Sequence, residues 1–270
     1  MKSFFYLCAL LVLSLTNTTQ AESGLMHSTY AWHSQTLLNP KSSQEELTTL
    51  SQYGISRIYL GLSAAQLQTP SQTGYALNNL IKRAHIQGIA VDLLLGDPDW
   101  IAPEHQGKLL SIINGLKDIP FDGMMLDIEI EQSQVPAEQR VALWAQTVEL
   151  AIQNSPWLVT SASHWRWYSK SPAVCEQNKS LSSASLMFYS TNVEVIRRRA
   201  LEAQAVCPDA QISVSQSVES ILSSQESWAG AAGFDEVRGR LEKALAGTGV
   251  KSIDWQDWDS LKKIPPRAAR

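Results

Sequence analysis

Acidic residues recur at every second position of one otherwise apolar stretch. The stretch reads Phe-Asp-Gly-Met-Met-Leu-Asp-Ile-Glu-Ile-Glu over residues 121–131. Successive side chains of a β-strand point to opposite faces, so Asp127, Glu129 and Glu131 are predicted to share one face. Burial and like-charge crowding raise the pKa of a carboxyl, which keeps a general acid protonated near neutral pH. The pattern predicts acid–base chemistry, with a strand end carrying solvated acids as the alternative.

Eight apolar runs of strand length alternate with helical segments. The predicted strands cover residues 25–33, 55–62, 89–96, 121–130, 157–163, 184–189, 211–218 and 250–255. The predicted helices cover residues 42–54, 75–87, 104–117, 136–153, 192–206 and 234–246, and the first opens with Ser42 and Glu45 in a capping-box pattern. Such alternation implies a parallel sheet. Eight units without a glycine-rich phosphate loop predict an α/β fold, a single-domain (β/α)8 TIM barrel.

The strand ends of such a barrel carry its functional residues, because the ligand site forms from these ends and the loops that follow them. Applied to the predicted strands, this rule gathers acids and aromatic rings on one rim. The predicted catalytic residues are Asp127, Glu129 and Glu219, and the predicted substrate-binding residues are Trp32, Asp97, Trp100, His164, Trp165, Tyr189 and Trp255. Flat aromatic faces stack on the apolar faces of sugars, so the rim predicts a carbohydrate cleft.

The first 21 residues have the pattern of a signal peptide. Lys2 gives a positive start, residues 4–15 are an apolar run too short to span a bilayer, and Ala21 ends a small-residue cleavage site. Cleavage would leave a barrel domain of residues 22–270. We therefore expect a periplasmic or secreted protein with no membrane partner after cleavage, an uncleaved anchor being the weaker alternative.

Two cysteines remain once Cys8 leaves with the signal peptide. In an oxidising compartment, Cys175 and Cys207 could form a disulfide. Two buried thiols are an equal alternative, because the separation of these residues in space cannot be read from the sequence.

The charge balance bears on the partners of the chain. A formal net charge of −4 argues against a nucleic-acid partner or an anionic membrane surface. The three consecutive arginines at 197–199 are expected to be a solvated helix face. The expected partner is a carbohydrate.

The strand-four segment resembles the family-18 glycoside hydrolases, the chitinase-like barrels, whose signature is Asp-x-x-Asp-x-Asp-x-Glu. Here Asp122, Asp127 and Glu129 match the pattern, whereas Met125 stands where the family has its second aspartate. Residues 187–189, Met-Phe-Tyr, are similar to the family's Met-x-Tyr segment, and Trp255 is similar to its sugar-stacking tryptophan.

A second resemblance covers nearly the whole chain after the signal peptide. A group of exported bacterial TIM-barrel proteins shares a Gly-Asp-Pro-x-Trp loop, here residues 96–100, and an Asp-Ile-Glu strand, here residues 127–129. This resemblance is the closer of the two. It implies the fold more strongly than the activity.

The family-18 resemblance implies substrate-assisted hydrolysis. Glu129 would protonate the glycosidic oxygen, Asp127 would orient the substrate's own acetamido group as nucleophile, and Tyr189 would hydrogen-bond that group. Met125 weakens this mechanism, because the missing aspartate helps to pass charge between the two functional acids in the resembled family.

A second mechanism requires no acetamido group. Glu129 would be the acid/base and Glu219 the covalent nucleophile, as in many barrel glycosidases that use strands four and seven. Ser213, Ser215 and Ser217 alternate with apolar residues, which predicts that Glu219 follows the interior face of strand seven. Carboxyls about 5–5.5 Å apart would support retention, and about 6.5–9.5 Å inversion. A solvated loop acid is the alternative for Glu219.

Other classes of function are less well supported. His33, Asp97 and His164 lack a close metal-ligand spacing, so neither a metal nor another cofactor is predicted. A Gly-x-Ser-x-Gly elbow for serine catalysis is also missing. The alternative from another class is a carbohydrate-binding barrel without turnover, which Met125 favours. Retention of both Asp127 and Glu129 favours an enzyme, because crowded desolvated acids are costly for binding alone.

Overall fold

A computed structural model describes residues 24–168 and 172–267, so the predicted signal peptide lies outside the described residues. Eight strands alternate with helices along this part of the chain. The strands are β1 (Met26–Ala31), β2 (Arg57–Gly61), β3 (Ala90–Leu95), β4 (Gly123–Asp127), β5 (Val159–His164), β6 (Ser183–Met187), β7 (Ile212–Ser217) and β8 (Ser252–Gln256). All eight predicted strands are confirmed, each shorter than the apolar run that predicted it, and β4 has only half the length of its run.

Within residues 24–168 and 172–267, six longer helices confirm the predicted helices, and five shorter ones lie in the loops. The helices are α1 (Gln35–Leu38), α2 (Ser43–Gln52), α3 (Ala64–Gln68), α4 (Pro70–Ile86), α5 (Gln106–Leu116), α6 (Ala137–Asn154), α7 (Trp165–Tyr168), α8 (Pro172–Asn178), α9 (Val193–Val206), α10 (Phe234–Leu245) and α11 (Trp258–Leu261). Two 3₁₀ turns, Pro98–Ile101 and Ile130–Gln132, follow β3 and β4. No helix in the described part of the chain is long and apolar enough to cross a membrane.

The strands form a closed parallel barrel in chain order, which confirms the predicted TIM barrel. Closure is made by β8, which pairs with β1 on one side and with β7 on the other. In this register Thr29 lies beside Trp255, and Ser215 beside Asp254. All strand C-terminal ends therefore meet at one face of the barrel.

The barrel has an apolar outer layer and a mixed interior. Outward-facing strand residues pack against the helices in one large cluster, whereas Tyr30, Tyr59, Leu94, Met125 and Ala162 form a separate cluster inside the barrel. The interior thus resembles the layered filling of other TIM barrels, with polar groups among the apolar ones.

Asp254 is the polar centre of the interior. Its carboxylate accepts hydrogen bonds from Ser185 (2.5 Å), Ser252 (3.0 Å) and Tyr59 (3.3 Å). Burial raises its pKa, and the donated hydrogen bonds oppose this rise because they favour the charged form. The buried acid is thereby satisfied by its neighbours.

Two local predictions were wrong. The capping box at Ser42 does not form, because the Ser42 hydroxyl donates to the carbonyl of Thr36 at 2.7 Å instead. A capping box forms instead at Ser63 and Gln66, at the start of α3. Glu129 and Glu131 do not share a strand face with Asp127, since β4 ends at Asp127, Glu129 caps the following 3₁₀ turn and Glu131 belongs to it.

A disulfide joins Cys175 in α8 to Cys207 at the end of α9, with their Cα atoms 5.3 Å apart. The predicted bridge is confirmed, and the alternative of two free thiols is not. The bond ties the segment after β5 to the helix after β6.

Candidate active site

Asp127 and Glu129 lie at the C-terminal end of β4. Asp127 is the last residue of the strand and is buried, and its Oδ1 atom has no hydrogen-bond partner among the described residues. Burial and the nearby charge of Glu129 raise the pKa of Asp127 to about 7. Glu129 is half-buried at the start of the 3₁₀ turn and accepts a hydrogen bond from Gln132. Its pKa is raised by burial and by Glu131.

Tyr189 is influenced by the charges of these acids and of Glu219. The pKa of Tyr189 is raised well above its ordinary value by burial and by the charges of Asp127, Glu219 and Glu129. Its hydroxyl donates to Oε1 of Gln256 at 2.5 Å. The end of β6 thus carries a phenol whose protonated form is favoured by three carboxyls from the ends of β4 and β7.

Glu219 follows β7 and is half-buried. Its backbone N–H donates to Ser217 Oγ at 3.1 Å, and the Ser217 hydroxyl lies 3.5 Å from Glu219 Oε2. Burial and the charge of Asp257 raise the pKa of Glu219, the Ser217 hydroxyl lowers it, and Glu129 raises it further. The electrostatic influence of Glu129 means that the acids from β4 and β7 share one environment.

A cavity of about 980 Å³ opens over the ends of β1, β2 and β3. Three of the predicted substrate-binding residues line it, namely Trp32, Asp97 and Trp100. Trp100 is almost fully buried, whereas Trp32 is half-exposed and stacks on Tyr30 at 6.1 Å. Asp97 also caps the 3₁₀ turn after β3, since it accepts the N–H of Asp99 at 3.0 Å.

The cavity adjoins the acids through Gly96. A Cβ atom at Gly96 would collide with the backbone carbonyl of Asp127, so the two loops touch only because residue 96 has no side chain. The cavity wall at Gly96 therefore lies against the backbone of Asp127. Trp32, Asp97 and Trp100 lie on one side of the site, and Glu219 and Tyr189 come from strands on the other side.

His164 and Trp165 occupy the rim after β5. The backbone N–H of Arg166 donates to His164 Nδ1 at 3.2 Å, and the His164 ring stacks on Trp165 at 6.1 Å. The Trp165 ring is covered by the guanidinium of Arg199 at 4.5 Å and approached by that of Arg166 at 5.4 Å. Cationic side chains thus partly cover the Trp165 ring. Its predicted role in sugar binding would require an uncovered ring face.

Trp255 does not belong to the rim, which corrects the prediction. The ring is fully buried behind the barrel wall, where it packs edge-on against Phe234 of α10 at 4.8 Å. Its indole N–H donates to His27 at 3.2 Å. Side chains alternate along β8, so the residue that faces the site is its neighbour Gln256, which bonds Tyr189.

Gln256 was missed by sequence reasoning, although a signal for it exists. In β8 the polar residues Ser252, Asp254 and Gln256 occupy alternate positions and Ile253 and Trp255 the others. That alternation places Gln256 inside and Trp255 outside. The similarity of Trp255 to a sugar-stacking tryptophan led instead to the prediction of Trp255 as a site residue.

Met125, at the position of the motif's second aspartate, is buried inside the barrel. The hydroxyl of Tyr30 lies 3.9 Å from its sulfur and 3.4 Å from Ser185 Oγ. Burial, followed by the charges of Asp127 and Asp254, raises the pKa of Tyr30 well above its ordinary value. A thioether and a neutral phenol thus lie beneath Asp127 where the motif would place a carboxylate.

No protein-family model and no curated protein sequence matches the chain. Solved structures do match it. A xylanase and α-amylase inhibitor protein from Scadoxus multiflorus superposes with a TM-score of 0.58 at 13% identity, over 88% of this chain and 95% of that one. A chitinase from Bacteroides thetaiotaomicron gives 0.55 at 13% identity, over 88% and 91%. A GH113 β-mannanase from Alicyclobacillus acidocaldarius gives 0.56 at 11% identity, over 88% of each chain.

The chain has a TIM-barrel fold similar to that of these proteins. At these identities the likeness concerns the fold alone. The similar structures include proteins named as enzymes and a protein named as an inhibitor, so the chemistry of this barrel must be argued from its own residues.

The candidate site offers proton donors and acceptors at one end of the barrel. Asp127, with a pKa of about 7, holds a proton near neutral pH. The pKa of Glu129 is raised, and Glu219 supplies a further carboxyl from the end of β7. Among the described residues, no group of three His, Cys, Asp or Glu side chains is arranged to hold a metal ion.

Proposed function

We propose that this protein is an exported glycoside hydrolase that cleaves a polysaccharide or amino-sugar glycan by carboxylate acid/base catalysis. The observation that carries the proposal is the set of three carboxyls with raised pKa, from β4 and β7, whose charges all act on Tyr189. Perturbed acids concentrated in one environment are typical of catalytic sites. The aromatic cavity beside them supplies room for sugars.

Two observations favour the route with two carboxylates over substrate assistance. Met125 replaces the acid that would pass charge to Asp127, and Trp255 is buried away from the site. In the favoured route Glu129 gives its proton to the leaving oxygen while Glu219 attacks the sugar carbon. Water, which gives a proton back to Glu129, then breaks the bond between Glu219 and the sugar. Burial and Asp257 raise the pKa of Glu219, and the Ser217 hydroxyl opposes that rise by favouring the ionised form that a nucleophile requires.

Asp127 has a supporting role in this route. Its pKa of about 7 keeps much of it protonated and neutral at neutral pH. A neutral Asp127 holds a proton beside Glu129 without adding a second buried negative charge.

The test is release of reducing ends from a panel of purified polysaccharides, namely chitin, peptidoglycan, mannan, xylan and bacterial exopolysaccharides. We expect hydrolysis of at least one by the wild-type protein. Changing Glu219 to Gln should abolish most of the activity if the two-carboxylate route is right. A large loss for Asp127→Asn that is confined to acetamido sugars would instead support substrate assistance.

A carbohydrate-binding barrel without turnover is the second candidate. Met125 favours it, and a similar structure is that of a xylanase and α-amylase inhibitor protein, described in complex with trehalose. Binding of a glycan by the wild-type protein, with no hydrolysis that depends on Glu129, Asp127 or Glu219, would establish this candidate and reject the enzyme.

A further inference from the structure

Tyr189, which follows β6, donates its hydroxyl proton to Gln256 at the end of β8. The two oxygen atoms, the Tyr189 hydroxyl and Gln256 Oε1, are 2.5 Å apart. This distance lies within the range of O–H···O bonds and below that of N–H···O bonds, so the phenol donates and the carboxamide oxygen accepts. We call these two side chains the Tyr189–Gln256 pair. The hydroxyl proton of Tyr189 is therefore held by Gln256 and is not directed at a ligand.

The backbone of Gln256 lies beside the segment that carries Glu219. Gln256 is paired with Ser217 in the barrel, and its carbonyl oxygen accepts the N–H of Val218 at 2.7 Å. Val218 directly precedes Glu219. The Gln256 side chain is buried, so its position is set by β8, which pairs with a strand on each side.

The Tyr189–Gln256 pair leaves one donor and one acceptor unused. Across residues 24–168 and 172–267, Nε2 of Gln256 has no hydrogen-bond partner, and it is not enclosed. The phenol oxygen can accept a hydrogen bond as well as donate one. The Ser215 hydroxyl is close enough to oppose the rise in the pKa of Tyr189, but it has no hydrogen-bond partner among the described residues, so it does not occupy this acceptor. The pair thus offers an N–H donor beside an oxygen acceptor.

The pair lies beside the groups that we propose to act on the anomeric carbon of a sugar. Burial and the charges of Asp127, Glu219 and Glu129 raise the pKa of Tyr189, and such charges act strongly only over short distances. Gln256 adjoins the Glu219 segment through its backbone. In a sugar ring the hydroxyl nearest to the anomeric carbon is the one on carbon 2. Under the proposed function, the pair therefore faces the carbon-2 substituent of the attacked sugar.

A hydroxyl group satisfies both members of the pair. With a single oxygen atom it can donate its proton to the Tyr189 oxygen and accept the N–H of Gln256. An acetamido group cannot do this, because the N–H and C=O of a trans amide point in opposite directions and one member of the pair stays unpaired. Nor can Tyr189 donate to an acetamido carbonyl while Gln256 holds its proton. A polar group left without a partner in the complex costs affinity.

We propose that Tyr189 and Gln256 recognise the carbon-2 substituent of the attacked sugar and select a hydroxyl, so that the substrate is a polysaccharide with a free hydroxyl at carbon 2 rather than an amino-sugar glycan. Gln256 is then a specificity-determining residue. This proposal rests on the proposed function for the position of the sugar. The hydrogen-bonding groups of the pair themselves do not depend on turnover.

The test is binding of matched oligosaccharides by calorimetry, which requires no turnover. β-1,4-linked tetrasaccharides of glucose and of mannose are compared with those of N-acetylglucosamine and N-acetylmannosamine, all linked through sulfur so that they resist hydrolysis. The members of each matched set differ only in the carbon-2 substituent. We expect the hydroxyl member of at least one set to bind roughly tenfold more tightly than its acetamido partner. Equal affinities, tighter binding of an acetamido member, or binding of none of the four would overturn the proposal.

The variants locate the selection. Gln256→Met keeps an unbranched side chain but removes the N–H donor and frees the proton of Tyr189, so the preference for the hydroxyl member should fall below about threefold. Tyr189→Phe removes the acceptor and should have the same effect, which keeps the test valid if Gln256→Met lowers the melting temperature. Gln211→Met, at an exposed residue just before β7 at the opposite end of the barrel, is the control. A purely structural role would lower both affinities together, so an unchanged ratio in both site variants would contradict the proposal.

Failure of the two proposals can be told apart. Binding that favours the hydroxyl member and depends on Gln256, without release of reducing ends from any polysaccharide, would reject the enzyme and keep the selection. Hydrolysis that is confined to amino-sugar polymers would keep the enzyme and reject the selection.

Discussion

Glu129 is the residue whose replacement tests the proposed chemistry most directly. Glutamine keeps the shape of the side chain and its hydrogen bonding to Gln132 but has no proton to transfer. We expect Glu129→Gln to lower turnover of the hydrolysed glycan by roughly 10²-fold or more, with affinity largely kept. The measurement is kcat and KM on the substrate found in the polysaccharide panel.

Glu138→Gln is the matched control for that change. Glu138 is exposed in the first turn of α6, and its replacement removes an equal charge from the segment that follows β4. Its turnover should stay close to that of the wild-type protein. Equal losses in both variants would show that the loss does not depend on the proton of Glu129.

The raised pKa of Asp127 makes a prediction about stability and pH. The unfolded carboxyl ionises near its ordinary pKa of 3.8, whereas the folded one keeps its proton up to about pH 7. The folded state binds more protons across this window, so ionisation of Asp127 in the unfolded chain lowers the free energy of unfolding as pH rises from about 4 to 7. The full effect is on the order of 4 kcal/mol.

Urea unfolding of the wild-type protein and Asp127→Asn at several pH values measures this effect. Asparagine cannot ionise, so the wild-type protein should lose stability relative to the variant as pH rises through the window, with no further loss above it. Parallel stability curves would contradict the assignment of the raised pKa to Asp127.

At the residue scale, sequence alternation placed Asp127 on its strand but did not place Glu129 and Glu131. The alternation of acids continues to residue 131, whereas the backbone leaves the strand at Asp127 and turns at Ile130. Hydrogen bonding to β5 ends at that point, with Asp127 opposite Ala162. A side-chain pattern does not encode where strand pairing stops, so the last two acids of the series could not be placed from it.

At the element scale, the side of β8 that faces the helices stabilises the fold. Trp255 is fully buried against α10, so Trp255→Ala should lower the free energy of unfolding by about 3–5 kcal/mol. Trp32→Ala, at a half-exposed residue of the cavity, should cost less stability and more glycan affinity. Urea unfolding and glycan titration of both variants separate the two roles. A loss of binding without a loss of stability in Trp255→Ala would restore Trp255 to the site.

The second prediction at this scale concerns the disulfide between α8 and α9. Cys175 and Cys207 are separated by 32 residues, and a loop of that length is expected to contribute about 3–4 kcal/mol by restricting the unfolded chain. The variant with both cysteines changed to Ala should have a free energy of unfolding that is lower by that amount, which urea unfolding measures. Thiol titration of the unfolded, unreduced wild-type protein should find neither thiol free, and two reactive thiols would contradict the bridge.

Sequence reasoning located the long elements better than the short ones. Helices α4 and α6 carry periodic apolar residues over many turns, which specify them locally. The helices α1, α3, α7 and α11 have four or five residues each, and their backbone depends on contacts with the rim. Trp258 of α11, for example, is fixed by its indole N–H bond to Glu46 of α2 at 2.7 Å, a contact that no local pattern predicts.

At the scale of the whole molecule, closure of the barrel depends on the last strand. β8 pairs with both β1 and β7, so a chain that ends at residue 249 would leave two unpaired strand edges and uncover the barrel interior. We expect this truncated chain to lose cooperative unfolding and to aggregate. Near-ultraviolet circular dichroism and urea titration measure the loss, with a chain that ends at residue 267 as the control. Wild-type cooperativity in the shorter chain would contradict this account.

The number and order of the strands were predictable because each βα unit repeats an apolar strand followed by a helix with an apolar face. The gathering of the strand ends at one face was predictable too, since a parallel barrel directs them all to that face. The orientation of individual side chains at that face was not. Which way Trp255 points, and whether Arg199 meets Trp165, depend on the register of β8 and the packing of α9, which arise only when the ring closes.

Two glycines at the strand ends divide the cavity into fixed and adjustable parts. A Cβ atom at Gly61 would lie 2.9 Å from the carbonyl oxygen of Trp32, and one at Gly96 would strike that of Asp127, so the floor tolerates no side chain there. The half-exposed walls at Leu62, Leu67 and Ile112 face no such limit. For protein engineering, the ligand preference of this barrel is therefore adjustable from its walls, while its floor must be left as it is.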